Sequence, residues 1–175
     1  TLSWYAIHTV YLIQLSNDGK NFTDYRCSAD KGSGYTVINL NGTSARYIRI
    51  KIIRADNQGI YEWRVFEATE ADKNTTNAYS GENLALGKPA EATNIEGGNL
   101  PTLAVDGNYS TRWSSQQYGD ATFVLDLKKA YDVKALEMIL IRVAYSANLP
   151  TPMEILSARS MIPSRRCDAA ALMEV

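Results

Sequence analysis

The sequence is poor in the residues that most often build metal and redox centres. Its 175 residues include a single histidine and only two cysteines, Cys27 and Cys167. One histidine excludes multi-histidine metal sites, and two widely separated cysteines match no metal or redox motif. The cysteines are compatible with one disulfide bridge or with two separate buried thiols.

The chain also lacks a charge excess, a long apolar run and a catalytic signature. The sequence contains 18 Lys and Arg and 19 Asp and Glu, so the net charge is −1. This balance argues against a nucleic-acid partner or a polybasic membrane patch. No apolar run reaches membrane-spanning length. Because there is no nucleophile elbow, phosphate loop or histidine cluster, the sequence predicts a protein that is not an enzyme.

What the sequence does contain is strict alternation of apolar and polar residues. In ARYIRIKI, Ile48, Ile50 and Ile52 point one way, and ATFVLDL alternates in the same manner. Such a period of two predicts β-strands. The runs are separated by turns rich in Gly, Asn and Asp: NDGKN, NLNGTS, RADNQG and EGGNLP. Without a convincing long helix, the pattern predicts an all-β antiparallel sandwich or jelly roll.

Two changes of composition divide the chain. Residues 69–82 read TEADKNTTNAYSGE, a polar stretch typical of a flexible linker. From residue 157 onward the β alternation stops and small residues become frequent. The tail 157–175 is compatible with a helix, a disordered end or an extension foreign to the domain.

Several segments carry a family resemblance. The segments NLALGKPAEAT (83–93), LAVDGNYSTRWSS (103–115) and FVLDLKKAYDVKALEMI (123–139) stand in the second half of the chain. They resemble the beginning of discoidin domains, also called coagulation factor V/VIII type C domains, and of the related family 32 carbohydrate-binding modules. YLIQLSNDGKNF, ARYIRIKI and GIYEWRVFEA in the first half are similar to the later strands of that family. The resemblance implies a discoidin-like jelly roll.

The order of these segments is reversed relative to the family. Residues 1–68 resemble the second half of a module and residues 83–156 the first half, with 69–82 between them. This order indicates either a circular permutant, tolerated where chain ends lie close together, or halves of two tandem modules. We expect the halves to complete one sandwich, within one chain or by swapping in a homodimer.

One short stretch is a candidate cation site. Asp106, Asn108 and Thr111 lie within six positions in a turn that contains glycine. Oxygen groups in a tight loop suit Ca²⁺, but an ordinary Asx turn has the same spacing. The resemblance implies a structural calcium ion bound by the following residues: Leu103, Asp106, Asn108, Thr111, Tyr61 and Glu62. Because Glu62 and Asp106 come from different halves, the ion would join them.

Candidate ligand-binding residues lie in loops that we expect at one end of the sandwich. SWYAIH offers aromatic rings and a histidine, which suit the apolar face and the hydroxyls of a sugar. The alternative is that its aromatic residues belong to a core strand and that the polar loops are ordinary turns. The full candidate set is Trp4, Tyr5, His8, Arg54, Asn57, Gln116, Gln117 and Tyr118.

Together these features predict a non-catalytic module. The resemblance implies a secreted or extracellular carbohydrate-binding module that directs an attached enzyme or adhesin to polysaccharide. The alternative is a discoidin-type adhesion domain that binds anionic phospholipid or a protein. The Asn-, Gly- and Gln-rich loops argue against lipid. Four N-x-S/T sequons begin at Asn21, Asn41, Asn74 and Asn108, and they serve as glycan acceptors only in a glycosylating host.

Overall fold

The computed structural model describes residues 9–30, 35–54, 59–68, 81–116 and 121–141. These residues form seven β-strands and one 3₁₀ turn, Pro101–Ala104, with no α-helix among them. The strands are β1 (Thr9–Ser16), β2 (Thr23–Asp30), β3 (Tyr35–Arg54), β4 (Gly59–Glu67), β5 (Ala90–Ala92), β6 (Trp113–Ser114) and β7 (Ala121–Leu140). Within the same ranges, no helix is long and apolar enough to cross a membrane. The all-β class predicted from alternation is confirmed.

The strands pair antiparallel in the order β2-β1-β3-β7-β4-β6, and β5 pairs with β7. β3 and β7 contain 20 residues each, and they pair with one another along most of their length. The far half of β7 also pairs with β4, and its near half pairs with β5. β3 and β7 therefore connect all the other strands.

This sheet folds back on itself and encloses its core between two layers. Trp63 on β4 pairs with Met138 on β7, yet its ring stacks on Phe123, with 5.2 Å between ring centroids. Met138 and Phe123 would be about 50 Å apart on a straight strand. β7 must therefore bend between them, and Lys128, with a φ of 74°, marks the bend. β3 has its own irregularity at Asn41 and Gly42, which have φ values of 52° and 74° and lie opposite Lys134 of β7.

The core lies between the layers and follows the predicted alternation. Ile48, Ile50 and Ile52 are fully buried, whereas Arg49 and Lys51 between them are only half-buried. On β7 the buried residues Phe123 and Leu125 face the same core. Three strands that alternation did not predict complete the sheet: β2, β5 and β6. β2 has the sequence TDYRCSAD, in which Tyr25, Cys27 and Ala29 alternate with polar and charged residues. Tyr25 and Cys27 are half-buried and Asp24 and Arg26 are exposed, so a period of two was present and was overlooked.

One predicted boundary differs in the structure. The runs on either side of NLNGTS are one bent strand, β3, because the turn lies within the part of the strand that pairs with β7.

Cys27 on β2 is disulfide-bonded, which favours the bridge over two separate thiols. Residues 1–8, most of the predicted linker and the tail 157–175 lie outside the described residues.

A bidentate ion pair joins β3 to β7 at the bend of β7. The Arg46 guanidinium donates from Nε to Asp126 Oδ1 at 2.9 Å and from a terminal nitrogen to Oδ2 at 3.1 Å. The same carboxylate accepts the backbone N–H of Lys128 at 2.7 Å and so supports its left-handed backbone. The Arg46 guanidinium is the main cause that holds the pKa of Asp126 below its usual range.

We expect Asp126→Asn to lower the free energy of unfolding at pH 7 by about 1 kcal/mol, since the pair is partly exposed. A carboxyl with a lowered folded-state pKa stabilises the fold above its unfolded pKa of about 4 and loses that effect below it. The difference between variant and wild type should therefore shrink as the pH falls below about 4. Urea unfolding at several pH values measures this difference in the free energy of unfolding. Glu91→Gln, on exposed β5, is the control; a constant difference at all pH values would refute the role of the charge.

Candidate metal and ligand site

The loop between the 3₁₀ turn and β6 is rigid because its own side chains bond its backbone. Asp106 Oδ1 accepts the N–H of Asn108 at 2.8 Å, and Asn108 Oδ1 accepts the N–H of Ser110 at 3.0 Å. Gly107 has a φ of 78°, and a Cβ there would lie 3.0 Å from Leu86 Cδ1. The positive φ therefore favours glycine at this position.

The Thr111 hydroxyl lies at the centre of this loop among three oxygen acceptors. It is 2.7 Å from Asp106 Oδ2, 2.8 Å from the Asn108 carbonyl and 3.5 Å from the Leu103 carbonyl. One hydroxyl carries one hydrogen, so it satisfies one of these oxygens at a time. The loop therefore presents more acceptors than donors, which is the environment that a hard cation prefers.

The Glu62 carboxylate adds to this excess. Its residue is only 1% exposed, and neither oxygen has a hydrogen-bond partner of ordinary geometry within the described residues. Burial, with the negative charge of Asp106, raises the pKa of Glu62 from 4.5 to about 7, against opposing effects of the Gly107 N–H and of Arg64. A buried and unpaired carboxylate is costly to the fold.

A β-bulge brings Glu62 to this position. Along β4, Ile60 pairs with Leu140 and Glu62 pairs with Ile139, so the pairing slips at Tyr61. The Tyr61 ring lies 6.0 Å from the guanidinium carbon of Arg112, which follows the loop. Such bulges redirect a side chain out of the regular alternation. The described residues contain no cluster of three or more His, Cys, Asp or Glu, so a cation here would rely on carbonyl and hydroxyl oxygens beside the two carboxylates.

Most candidate ligand residues fall outside the part of the chain that the structure describes. Those are Trp4, Tyr5, His8, Asn57, Gln117 and Tyr118, and of Arg54 only the backbone is described. That backbone pairs with Val10 at the start of β1. Ile52 pairs with Ala121 at the start of β7. The start of β1, the end of β3 and the start of β7 therefore meet at one end of the sandwich, which we name the loop end.

Gln116 is exposed at the loop end, directly after β6. Its N–H donates to Asn94 Oδ1 at 3.4 Å. The neighbouring loop is held internally, because Ser114 Oγ donates to Glu96 at 2.7 Å and Asn99 donates to Ser114 Oγ at 2.7 Å. These polar residues thus support a turn, and Gln116 is the candidate whose side chain the structure describes as exposed.

Two tryptophans lie in the core. Trp113 is fully buried and donates from its indole nitrogen to the Asn94 carbonyl at 3.0 Å. Trp63 is also fully buried. A different group is exposed: Leu86, Leu100 and Tyr109 are 54%, 49% and 54% accessible. Sequence reasoning missed this group, although a tyrosine within the glycine-containing turn could have signalled it.

Comparison with known families gives a match within the first half of the chain. Residues 6–66 match the family described as the F5/8 type C domain, and the match spans about a third of the chain. These domains bind carbohydrate, lipid or protein, so the match indicates a binding role. Residues 83–156 lie outside the match. No curated protein and no solved structure matches the chain.

In calcium-free buffer with chelator, we expect Glu62→Gln to stabilise the protein at pH 8 by about 3 kcal/mol. The raised pKa means that the folded state holds a proton on Glu62 in acid, so its burial cost is absent below about pH 4 and grows until about pH 7. The gain should therefore vanish near pH 4. Chemical unfolding at both pH values tests this. Glu67→Gln, exposed on the same strand, should leave the free energy of unfolding unchanged at both pH values. A Glu62→Gln variant that is less stable than the wild type at pH 8 would contradict the argument.

Proposed function

We propose that the chain is a non-catalytic, secreted carbohydrate-binding module whose loop end recognises glycan and whose fold is held by a structural calcium ion. The family match of residues 6–66 supports a binding role. The observation that carries the calcium proposal is the buried, unpaired carboxylate of Glu62 beside the acceptor-rich Asp106 loop. The module would hold an attached enzyme or adhesin near polysaccharide.

The donor set fits calcium. The side chains of Glu62, Asp106 and Thr111 and the carbonyls of Tyr61, Leu103 and Asn108 would supply six oxygens. Calcium takes six to eight oxygen ligands, and sites of two carboxylates with carbonyls are within its range. When bound, the ion would neutralise two close negative charges and cross-link the Asp106 loop to β4. Its role would be structural.

We propose further that residues 1–68 and 83–156 form one module in reversed order. The pairing of β3 and β4 with β7 supports this, because these strands come from the two segments. So does the backbone bond from the Leu84 N–H to the Val65 carbonyl at 2.8 Å. This bond brings the start of the second segment beside the last strand of the first, and a short linker can bridge that gap.

Saturating calcium should raise the melting temperature of the chelated protein on the order of 8 °C at about 100 times the dissociation constant. Glu62→Gln and Asp106→Asn should each abolish this shift, because each removes one of the two charges that attract the ion. Differential scanning fluorimetry measures the shift, and Glu67→Gln should keep it. Light scattering on the same samples should give a monomer. A dimer would indicate swapped halves, and an unchanged melting temperature would remove the metal site.

Glycan binding at the loop end has its own test. We expect an oligosaccharide array to identify ligands, and affinity electrophoresis to show about tenfold weaker binding for His8→Ala and Gln116→Ala. Glu91→Ala, on exposed β5, should bind like the wild type. Affinity for a single sugar should be weak, since a small polar ligand buries little surface. Full binding by both loop variants would refute the proposed location.

A second candidate function is adhesion to anionic phospholipid or to protein. The exposed side chains of Leu86 and Tyr109 near the Asp106 loop favour it, because apolar loop tips insert into membranes or protein grooves. Co-sedimentation with phosphatidylserine vesicles, against phosphatidylcholine vesicles, separates lipid from sugar. Binding that Leu86→Asp abolishes would favour this candidate.

A further inference from the structure

A polar groove lies at the end of the sandwich opposite the loop end. It has a volume of about 260 Å³, close to the lower end of small-ligand clefts. Its walls are the end of β1, the start of β2 and the bend of β3. We name it the bend-end groove. It contains none of the candidate metal or ligand residues.

The groove presents donors and acceptors that the fold does not use. Within the described residues, Asn17 Nδ2, Asn21 Oδ1 and one Asp24 oxygen have no hydrogen-bond partner, because the bonds of these residues involve their other polar atoms. The hydroxyls of Thr23 and Ser44 likewise bond nothing in the described chain. Such a mixed set matches hydroxyl groups, which donate and accept at once.

The walls of the groove are fixed before a ligand arrives. Asp18 accepts the N–H groups of Lys20 and Asn21 and the Asn21 side-chain amide, all within 2.8 Å. Gly19, with a φ of 73°, lies so close to the Tyr47 ring that a Cβ would come within 2.9 Å of it. The half-buried Tyr25 is anchored by its hydroxyl, which donates to the Asn39 carbonyl at 3.2 Å.

Charge and polarity narrow the ligand class. Asp24 is the charged member of the lining. An anionic ligand would meet this carboxylate directly, and like charges repel each other. A purely apolar ligand would leave the polar walls unsatisfied.

We propose that the bend-end groove binds a neutral saccharide ring, as a second carbohydrate site on the face opposite the loop end. The Asp24 carboxylate and the Asn17 and Asn21 amides would bond ring hydroxyls, and Tyr25 would offer an aromatic surface to the C–H groups. This proposal rests on the proposed carbohydrate-binding function. Two sites at opposite ends would let one module bridge two glycan chains and gain avidity.

The test is an NMR titration of the full ¹⁵N-labelled chain with methyl glycosides of glucose, galactose, mannose and N-acetylglucosamine. The protein should come from a bacterial host, since Asn21 and Thr23 form a sequon whose glycan would fill the groove. We expect amide shifts at Asn17, Asn21 and Ser44 with millimolar affinity. Shifts only at the loop end would overturn the second site but keep the proposed function. Shifts only in the groove would support the groove site and overturn the loop end as a glycan site. No shifts at either place would overturn both proposals.

Variants distinguish a loss of ligand binding in the groove from a general loss of stability. Asp24→Ala should weaken the groove titration about tenfold, whereas Arg26→Ala, exposed on the same strand and outside the lining, should leave it unchanged. If Asp24→Ala disturbs the sheet through the lost Gln14 contact, Ser44→Val repeats the test at an exposed hydroxyl. Equal binding by both groove variants, or groove shifts with methylammonium but with none of the sugars, would overturn the proposal.

Discussion

The pairing of β3 with β7 is the constraint on which the rest of this fold depends. Each strand contains left-handed residues at an irregularity of the pairing: Asn41 and Gly42 on β3, opposite Lys134, and Lys128 on β7, opposite Arg46. Because the two strands stay paired along these irregular stretches, one continuous sheet becomes two layers around a shared core. Without that pairing β1 and β2 would be separated from β4, and the apolar faces of both segments would meet water. The Arg46–Asp126 pair lies at the bend of β7.

The same constraint gives the candidate cation site its chemistry. β7 holds β4 in register, the slip at Tyr61 turns Glu62 inward, and the Asp106 loop adds a second carboxylate nearby. Two negative charges that repel each other, one of them buried, oppose folding in the absence of a counterion. A fold that retains this arrangement makes physical sense if a cation offsets the cost, which links the stability of the sandwich to the contents of the site.

Alternation in the sequence was sufficient to predict the strands whose inner faces are apolar, and Ile48, Ile50 and Ile52 are the clearest case. The strand β2 was overlooked although Tyr25, Cys27 and Ala29 alternate with polar residues there, because this edge strand lacks the large aliphatic residues that make the pattern conspicuous. The resemblance drew attention to Glu62 and Asp106, but the unpaired state of Glu62 depends on burial by distant strands and has no local signature. The groove was missed for the same reason, since its walls come from three strands.

The Asp106 loop and the bend-end groove differ in their hydrogen-bonding capacity. The Asp106 loop gathers oxygens around a single hydroxyl proton, and acceptors in excess of donors suit an ion that only accepts electron pairs. The bend-end groove offers amide donors beside carboxylate and hydroxyl acceptors, and such balance suits a ligand that donates and accepts at each hydroxyl. A cation in the groove would leave the amide donors unsatisfied, and a sugar in the loop would find no donors there. The different sets of donors and acceptors therefore favour a metal ion in the Asp106 loop and a neutral saccharide in the bend-end groove.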